Sequence, residues 1–224
     1  WDRDVTTGAL TNQMNLTDST NLNAPKSMAI SPDGKNIYAV GSGSASIIHW
    51  NRDTTTGALT NQVNLKDTIN LNGANSVMVS PDNKHVYAVA VSSKSIVYWD
   101  RDATTGALTN QINLIDKTHL NGASDVTISP DNKHVYAVAY YSNSIVHWDR
   151  DATTGALTNQ MNLNGIKDGT RCLTVSPDNK HVYASIRING IARWDQTEIN
   201  MRCPSVTGAT CTSCSDSSTC TSIS

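Results

Sequence analysis

An all-β propeller of four-stranded antiparallel blades is the fold class that this sequence predicts, on three observations. Trp1, Trp50, Trp99 and Trp148 recur every 49 residues, and Trp194 follows after 46. Repeats of about 40–50 residues are the units of propellers or solenoids. The apolar period within a repeat is two, as Val126 and Ile128 alternate with Asp125 and Thr127, which is strand spacing. Turn-forming residues then cut each repeat into four short segments.

The repeat that ends near Leu163 shows the elements in order. Asp125–Ile128 is the first strand, and Ser129-Pro130-Asp131-Asn132-Lys133 is the turn after it. His134–Ala139 is a second strand rich in β-formers, and Tyr140–Asn143 turns the chain into a third, Ser144–Trp148. Asp149-Arg150-Asp151-Ala152-Thr153-Thr154-Gly155 is a polar hairpin ending on Gly, where a positive φ is wanted. Ala156–Leu163 is the fourth, outer strand. Four short antiparallel strands per repeat make a propeller blade.

Counting along the chain gives four blades out of phase with the tryptophans. Residues 1–15 hold the end of a third strand and a whole fourth strand. Complete sets start at Ser27, Ser76 and Asp125, and the last starts at Cys172 but lacks a fourth strand after Trp194. An unpaired edge is a liability that folds suppress. The strand near Ala9–Leu16 is therefore expected to complete the last blade, of its own chain or of a neighbouring one. Residues 1–195 form the propeller repeat domain, and residues 196–224 a Ser/Thr/Cys-rich tail.

The tail carries Cys203, Cys211, Cys214 and Cys220, and 12 of its last 22 residues are Ser or Thr. Such a stretch lacks the apolar surface for a core and reads as the start of a disulfide-stapled module. With Cys172, these cysteines are the disulfide candidates, and they favour an extracellular or cell-surface setting. Cys172, the one cysteine in the repeats, reads first as an inert buried thiol. Asn15-Leu16-Thr17 is an N-glycosylation sequon on Asn15. The start at Trp1, inside a repeat, reads as a processed product or part of a longer polypeptide.

A net charge of -2 with scattered Lys and Arg excludes a nucleic-acid footprint. No apolar run approaches the roughly 18 residues of a membrane span. No cofactor is implied.

SPDNKHVYAVA, then SIVHWDRD and ATTGALT, resembles the lactonase-type β-propeller repeat and the related YVTN repeat. The resemblance covers residues 1–195, and Ser31-Pro32-Asp33-Gly34-Lys35 is the nearest copy of its turn. It implies seven blades in the usual member, against four sets here, and no active-site motif of that family is found to carry over.

The chemistry-bearing residues divide into repeated and singular ones. Trp50, Trp99, Trp148 and Trp194 are expected to fill the gaps between sheets, each indole being worth about 4–6 kcal/mol at most. A symmetric ring of sugar-stacking sites is the alternative. Asp100, Asp102, Asp149 and Asp151 space their carboxylates as calcium loops do, but capping of the Thr-Gly hairpin is the ordinary explanation. His85, His134 and His181 share one repeat position, with Asn36 in the first copy. His49 and His147 share another, with Tyr98 and Arg193. Tolerance of Asn, Tyr and Arg there points to strand surface rather than metal ligands. Among the unrepeated polar residues, Lys26, Asp125 and Arg171 lie at or just before first strands, and form the best constellation for opening a lactone. Near-identical repeats favour a non-enzymatic structural or interaction protein, a polymer or filament subunit joined through blade edges. Its partners are expected to be further copies of itself, or other extracellular proteins and glycans. A multivalent lectin and a lactonase-like hydrolase are the alternatives.

Overall fold

The computed structural model describes residues 2–163, 169–187 and 190–195. Every regular element among them is a strand. A short arm, β1 (Asp2–Arg3) and β2 (Leu10–Thr11), precedes four antiparallel sheets. Blade 1 contains β3 (Pro25–Ile30), β4 (Asn36–Gly41), β5 (Ser46–Arg52) and β6 (Leu59–Lys66). Blade 2 contains β7 (Ala74–Val79), β8 (His85–Ala90), β9 (Ser95–Arg101) and β10 (Leu108–Ile115). Blade 3 follows the same plan with β11 (Ala123–Ile128), β12 (His134–Ala139), β13 (Ser144–Arg150) and β14 (Leu157–Leu163). Blade 4 contains β15 (Thr170–Val175), β16 (His181–Ile186) and β17 (Gly190–Asp195).

The turns explain why the strands fall where they do. After each first strand a Ser side chain accepts the N–H of the residue that opens the second, as Ser129 Oγ does from His134 at 2.9 Å. Asn83, Asn132 and Asn179 take the left-handed conformation in these turns, at φ 67°, 65° and 60°, a region that Asn tolerates better than most residues. In the hairpin before each outer strand an Asp caps two amides: Asp151 Oδ1 accepts from Thr153 and Thr154 N–H, both at 2.8 Å.

The core lies between sheets. Alternate residues of a strand face opposite neighbours, so Tyr38, Val40 and Ile47 of blade 1 pack on Val77, Val86 and Trp99 of blade 2. One blade on, Tyr87, Val89 and Ile96 pack on Val126, Val135 and Trp148, and then Tyr136, Val138 and Ile145 on Leu173, Val182 and Trp194. Trp99, Trp148 and Trp194 therefore face the preceding blade, whereas Trp50 packs on Ala39 and Ile48 of its own blade. The indoles of Trp50, Trp99 and Trp148 are buried and donate to Gln62, Gln111 and Gln160 at 3.1–3.2 Å. Trp99 and Trp148 fill the gaps between adjacent sheets, and a buried indole offers no face for stacking a sugar.

The inner strands adjoin in chain order, β3 to β7, β7 to β11 and β11 to β15, and among the described residues the sheets do not close into a ring. Met28 and Ile30 on β3 and Ile191 on β17 are exposed. The expected completion of the last blade within the chain is corrected here. Leu10 and Thr11 pair with Arg3 and Asp2, and β17 pairs with β16 alone among the described residues. A hairpin closed by the Asp4 turn, whose carboxylate accepts from Thr6 and Thr7 N–H at 2.8 and 2.7 Å, loses less chain entropy than a pairing across the whole repeat array.

Candidate functional site

The polar chemistry of this fold is concentrated where one blade meets the next. At the junction of blades 1 and 2, Arg101 from the end of β9 is buried against blade 1. Its Nε donates to Tyr38 Oη at 2.8 Å, Nη1 to the Asn83 carbonyl at 2.9 Å and Nη2 to Asn36 Oδ1 at 2.6 Å, and Asp33 lies 3.4 Å away. Tyr38 in turn donates to the Gly106 carbonyl at 2.7 Å. Burial pushes the Tyr38 hydroxyl up to about 12 against the pull of Arg101, so it stays protonated and keeps that donation. Gly106 has φ 76° and sits so close to Asn36 that a Cβ would strike its side-chain amide.

The junction of blades 2 and 3 repeats this with a histidine. Arg150 Nε donates to Tyr87 Oη at 2.9 Å, Nη1 to the Asn132 carbonyl at 2.9 Å, and Nη2 lies 2.7 Å from His85 Nδ1 and 2.9 Å from Asp82 Oδ2. Tyr87 donates to the Gly155 carbonyl at 2.7 Å. Burial works against ionisation of Asp82, but Ser80 and Arg150 overcome it and hold its carboxyl below the usual range.

The junction of blades 3 and 4 keeps the backbone contacts and changes the filling. Asp131 N–H donates to Asn179 Oδ1 at 3.2 Å, as Asp82 N–H donates to Asn132 Oδ1 at 2.9 Å one junction earlier. The repeat position of Arg101 and Arg150 is Gln196 in the fourth copy, which lies outside the described residues. The register sets His134 opposite Asp149 and Tyr136 opposite His147, so both histidines and Asp149 stand on the face turned to blade 4. His134 Nδ1 lies 3.0 Å from His147 Nε2 and 3.3 Å from Asp149 Oδ1, and His147 Nε2 lies 3.9 Å from that oxygen. Burial, with the neighbouring His134, brings His147 down to about 4. In blade 2 the equivalent histidine is placed differently, with Nδ1 toward Arg150 and Nε2 3.5 Å from Asp100.

The other sequence-predicted residues are dispersed. Asp125 accepts from Ser76 Oγ at 2.7 Å, Leu173 N–H at 2.9 Å and Val126 N–H at 3.0 Å, joining the inner strands of three blades, and burial raises its pKa. Arg171 is exposed and lies 4.7 Å above the Tyr140 ring. Lys26 is exposed on β3, and no ion pair among the described residues joins these three. Asp102 and Asp151 are hairpin caps, while Asp100 and Asp149 accept from Asn110 and Asn159 at 2.7 and 2.8 Å. Cys172 is exposed and forms no disulfide among the described residues. The expectation of a buried thiol is corrected, because no described sheet follows blade 4. Cys203, Cys211, Cys214 and Cys220 lie outside the described residues, and Asn15 is exposed. The reading of the histidines as strand surface is also corrected, since His49, His85 and His147 are buried. Their positions face the next blade, and Asn36 and His85 both serve there because each presents an acceptor to a guanidinium.

Repeated four-stranded sheets whose tryptophans and arginines interlock with the blade before them define a β-propeller repeat protein. The chain belongs to the lactonase, 7-bladed β-propeller family, whose model matches residues 71–192. A Bacteroides uniformis protein with the provisional designation 6-phosphogluconolactonase is similar in structure, with TM-score 0.64 and 22% identity over 76% of this chain. The periplasmic gluconolactonase of Pseudomonas aeruginosa has TM-score 0.66 and 15% identity over 86% of this chain, and Kuenenia stuttgartiensis hydrazine synthase 0.59 and 20% over 85%. The chain spans 50%, 58% and 50% of those three. At these identities the likeness is one of fold. No curated protein matches.

Proposed function

We propose that this chain serves in a lactonase-like hydrolase. Family membership supports this reading, and the observation that carries it in the chain is Asp125. It is the one carboxyl among the equivalent inner-strand positions Ser27, Ser76, Asp125 and Cys172, and three donors hold it in place. Lactone opening needs a base to take a proton from water as its oxygen bonds the carbonyl carbon. It also needs a proton for the ring oxygen as its bond to that carbon breaks. Asp125 is assigned the first role, and a hydroxy acid is the product. The substrates in the names of the Bacteroides and Pseudomonas proteins, a 6-phosphogluconolactone and a gluconolactone, are the ones to try. The purified chain is expected to hydrolyse one of them above the spontaneous rate, and Asp125→Asn to lower kcat by at least about a hundredfold. No acceleration for either lactone, or full activity in Asp125→Asn, overturns the assignment.

A second reading, association with another copy of the chain, is favoured by the outer faces of blades 1 and 4, which no described sheet covers. Arg52 makes the first-blade counterpart of one arginine bond, to the Gly34 carbonyl at 3.0 Å. Gly57, unlike Gly106 and Gly155, faces open space. Blade 4 carries Asp178, His181 and Tyr183 at the positions of Asp82, His85 and Tyr87, the complementary half of such a junction. Sedimentation velocity is expected to show concentration-dependent assembly that Arg52→Glu abolishes, and a monomer at all concentrations contradicts it. An extracellular or cell-surface location belongs to the same reading, supported by the tail cysteines.

A further inference from the structure

The junction of blades 3 and 4 brings three metal-ligating side chains to one point where the other junctions hold a guanidinium. We propose that His134 Nδ1, His147 Nε2 and Asp149 Oδ1 form a binding site for a divalent transition cation of the zinc type, with water as the fourth ligand.

The distances fit. Zinc bound to nitrogen and oxygen at about 2.0–2.1 Å in tetrahedral geometry sets its ligands about 3.3 Å apart. The three separations here are 3.0, 3.3 and 3.9 Å, so closing on an ion takes a shift of a few tenths of an ångström. Burial is graded as an open three-ligand site requires. The His147 side chain is 1% exposed, His134 15% and Asp149 44%, which leaves the fourth position toward solvent. The carboxylate is oriented, because Asn159 Nδ2 donates to Asp149 Oδ2 at 2.8 Å and leaves Oδ1 to the cation, an outer contact of the kind that tunes metal sites.

The repeat itself supplies the contrast. Blade 1 has Asn36, His49 and Asn51 at these positions, blade 2 has His85, Tyr98 and Asp100, and blade 4 has His181, Arg193 and Asp195. Blade 3 alone combines two imidazoles with a carboxylate, and among the described residues it is the one such cluster. At the two earlier junctions an arginine bonds the residue at the first of these positions, Asn36 or His85. At the third, Gln196 stands at that place in the sequence, and Asp131 forms no ion pair among the described residues, whereas Asp33 and Asp82 do. The site lies at a blade junction, and it does not depend on the hydrolase reading.

The test uses the full chain, stripped of metal and with its cysteines alkylated so that thiolates do not contribute. Equilibrium dialysis against zinc is expected to give one zinc per chain. Cobalt(II) is expected to give the visible bands of a four-coordinate nitrogen and oxygen site. His134→Ala and Asp149→Asn are expected to lose the bound metal, while Asn159→Gly, which tolerates the φ of 50° at that position, weakens binding about 10–100-fold. His85→Ala and His181→Ala are expected to keep it. No bound zinc in the alkylated chain, or zinc that persists in Asp149→Asn, overturns the proposal. If His134→Ala fails to fold by circular dichroism, Asp149→Asn decides alone, since its side chain is half-exposed and the change conserves shape.

Discussion

The second and third blade junctions share a backbone and differ in what holds them. Between blades 2 and 3, a buried guanidinium ties Tyr87, His85 and Asp82 to the Asn132 carbonyl. Between blades 3 and 4, the same turns meet through Asp131 and Asn179, but the polar space is bounded by His134, His147 and Asp149. Sheet packing and polar filling are thus separable in this fold. Apolar faces and tryptophans set the spacing of the blades, so the group between the turns can change without moving them.

The largest effect is expected from breaking the filled junction. Arg150→Ala leaves Asp82 and His85 without their shared partner and is expected to cost about 3–5 kcal/mol in urea unfolding. Arg52→Ala, which loses one bond to a carbonyl, is expected to cost about 1 kcal/mol or less. Gly155→Ala and Gly57→Ala share the strain of a positive φ, at 71° and 72°. Only Gly155 packs against His85, so its variant is expected to be less stable by a further 1–3 kcal/mol, about the usual cost of overpacking. Tyr87→Phe removes a hydroxyl that both accepts from Arg150 and donates to Gly155, for a loss of about 1–3 kcal/mol. Tyr183→Phe on the half-buried face of blade 4 is expected to lose less.

The smallest effects lie in pH dependence, and two carboxyls carry opposite signs. Asp82 is held below its ordinary range, burial opposing and Ser80 and Arg150 prevailing. Its stabilisation is therefore present above the unfolded pKa of about 3.9 and lost as pH falls below it. Asp125 is raised by burial, so the folded state keeps its proton longer and stability declines as pH rises past that value. Urea midpoints of Asp125→Asn are expected to lose this decline, while those of Arg150→Met lose part of the acid sensitivity.

Much of the fold was legible in the chain. His134–Ala139 is a strand as read, and the Trp-to-Trp repeat marks blades because the indoles of Trp99, Trp148 and Trp194 each fill one gap. Ser144–Trp148 is longer in the structure, ending at Arg150, because the Asp151 cap begins only after that residue. The burial of Arg101 and Arg150 is not legible in the sequence, since a repeated WDR motif looks like strand end and solvent. The burial of His49, His85 and His147 is hidden in the sequence, because residues that differ between copies suggest a free surface. The signal available was joint: Arg101, Arg150 and Gln196 vary at one position while the His-His-Asp set occurs in one copy. The end of a third strand and the fourth strand after it are legible in residues 1–15 and pair as Asp2–Arg3 with Leu10–Thr11, while the incomplete last blade suggests a further pairing that the local hairpin forms without.

The most direct measurement is an anomalous difference map at the zinc absorption edge, from crystals of the full chain equilibrated with zinc. A single peak about 2.0–2.2 Å from His134 Nδ1, His147 Nε2 and Asp149 Oδ1 is predicted, with none beside Arg101 or Arg150. A junction of blades 3 and 4 without that peak, or equal peaks at all three junctions, would contradict the separation of sheet packing from polar filling.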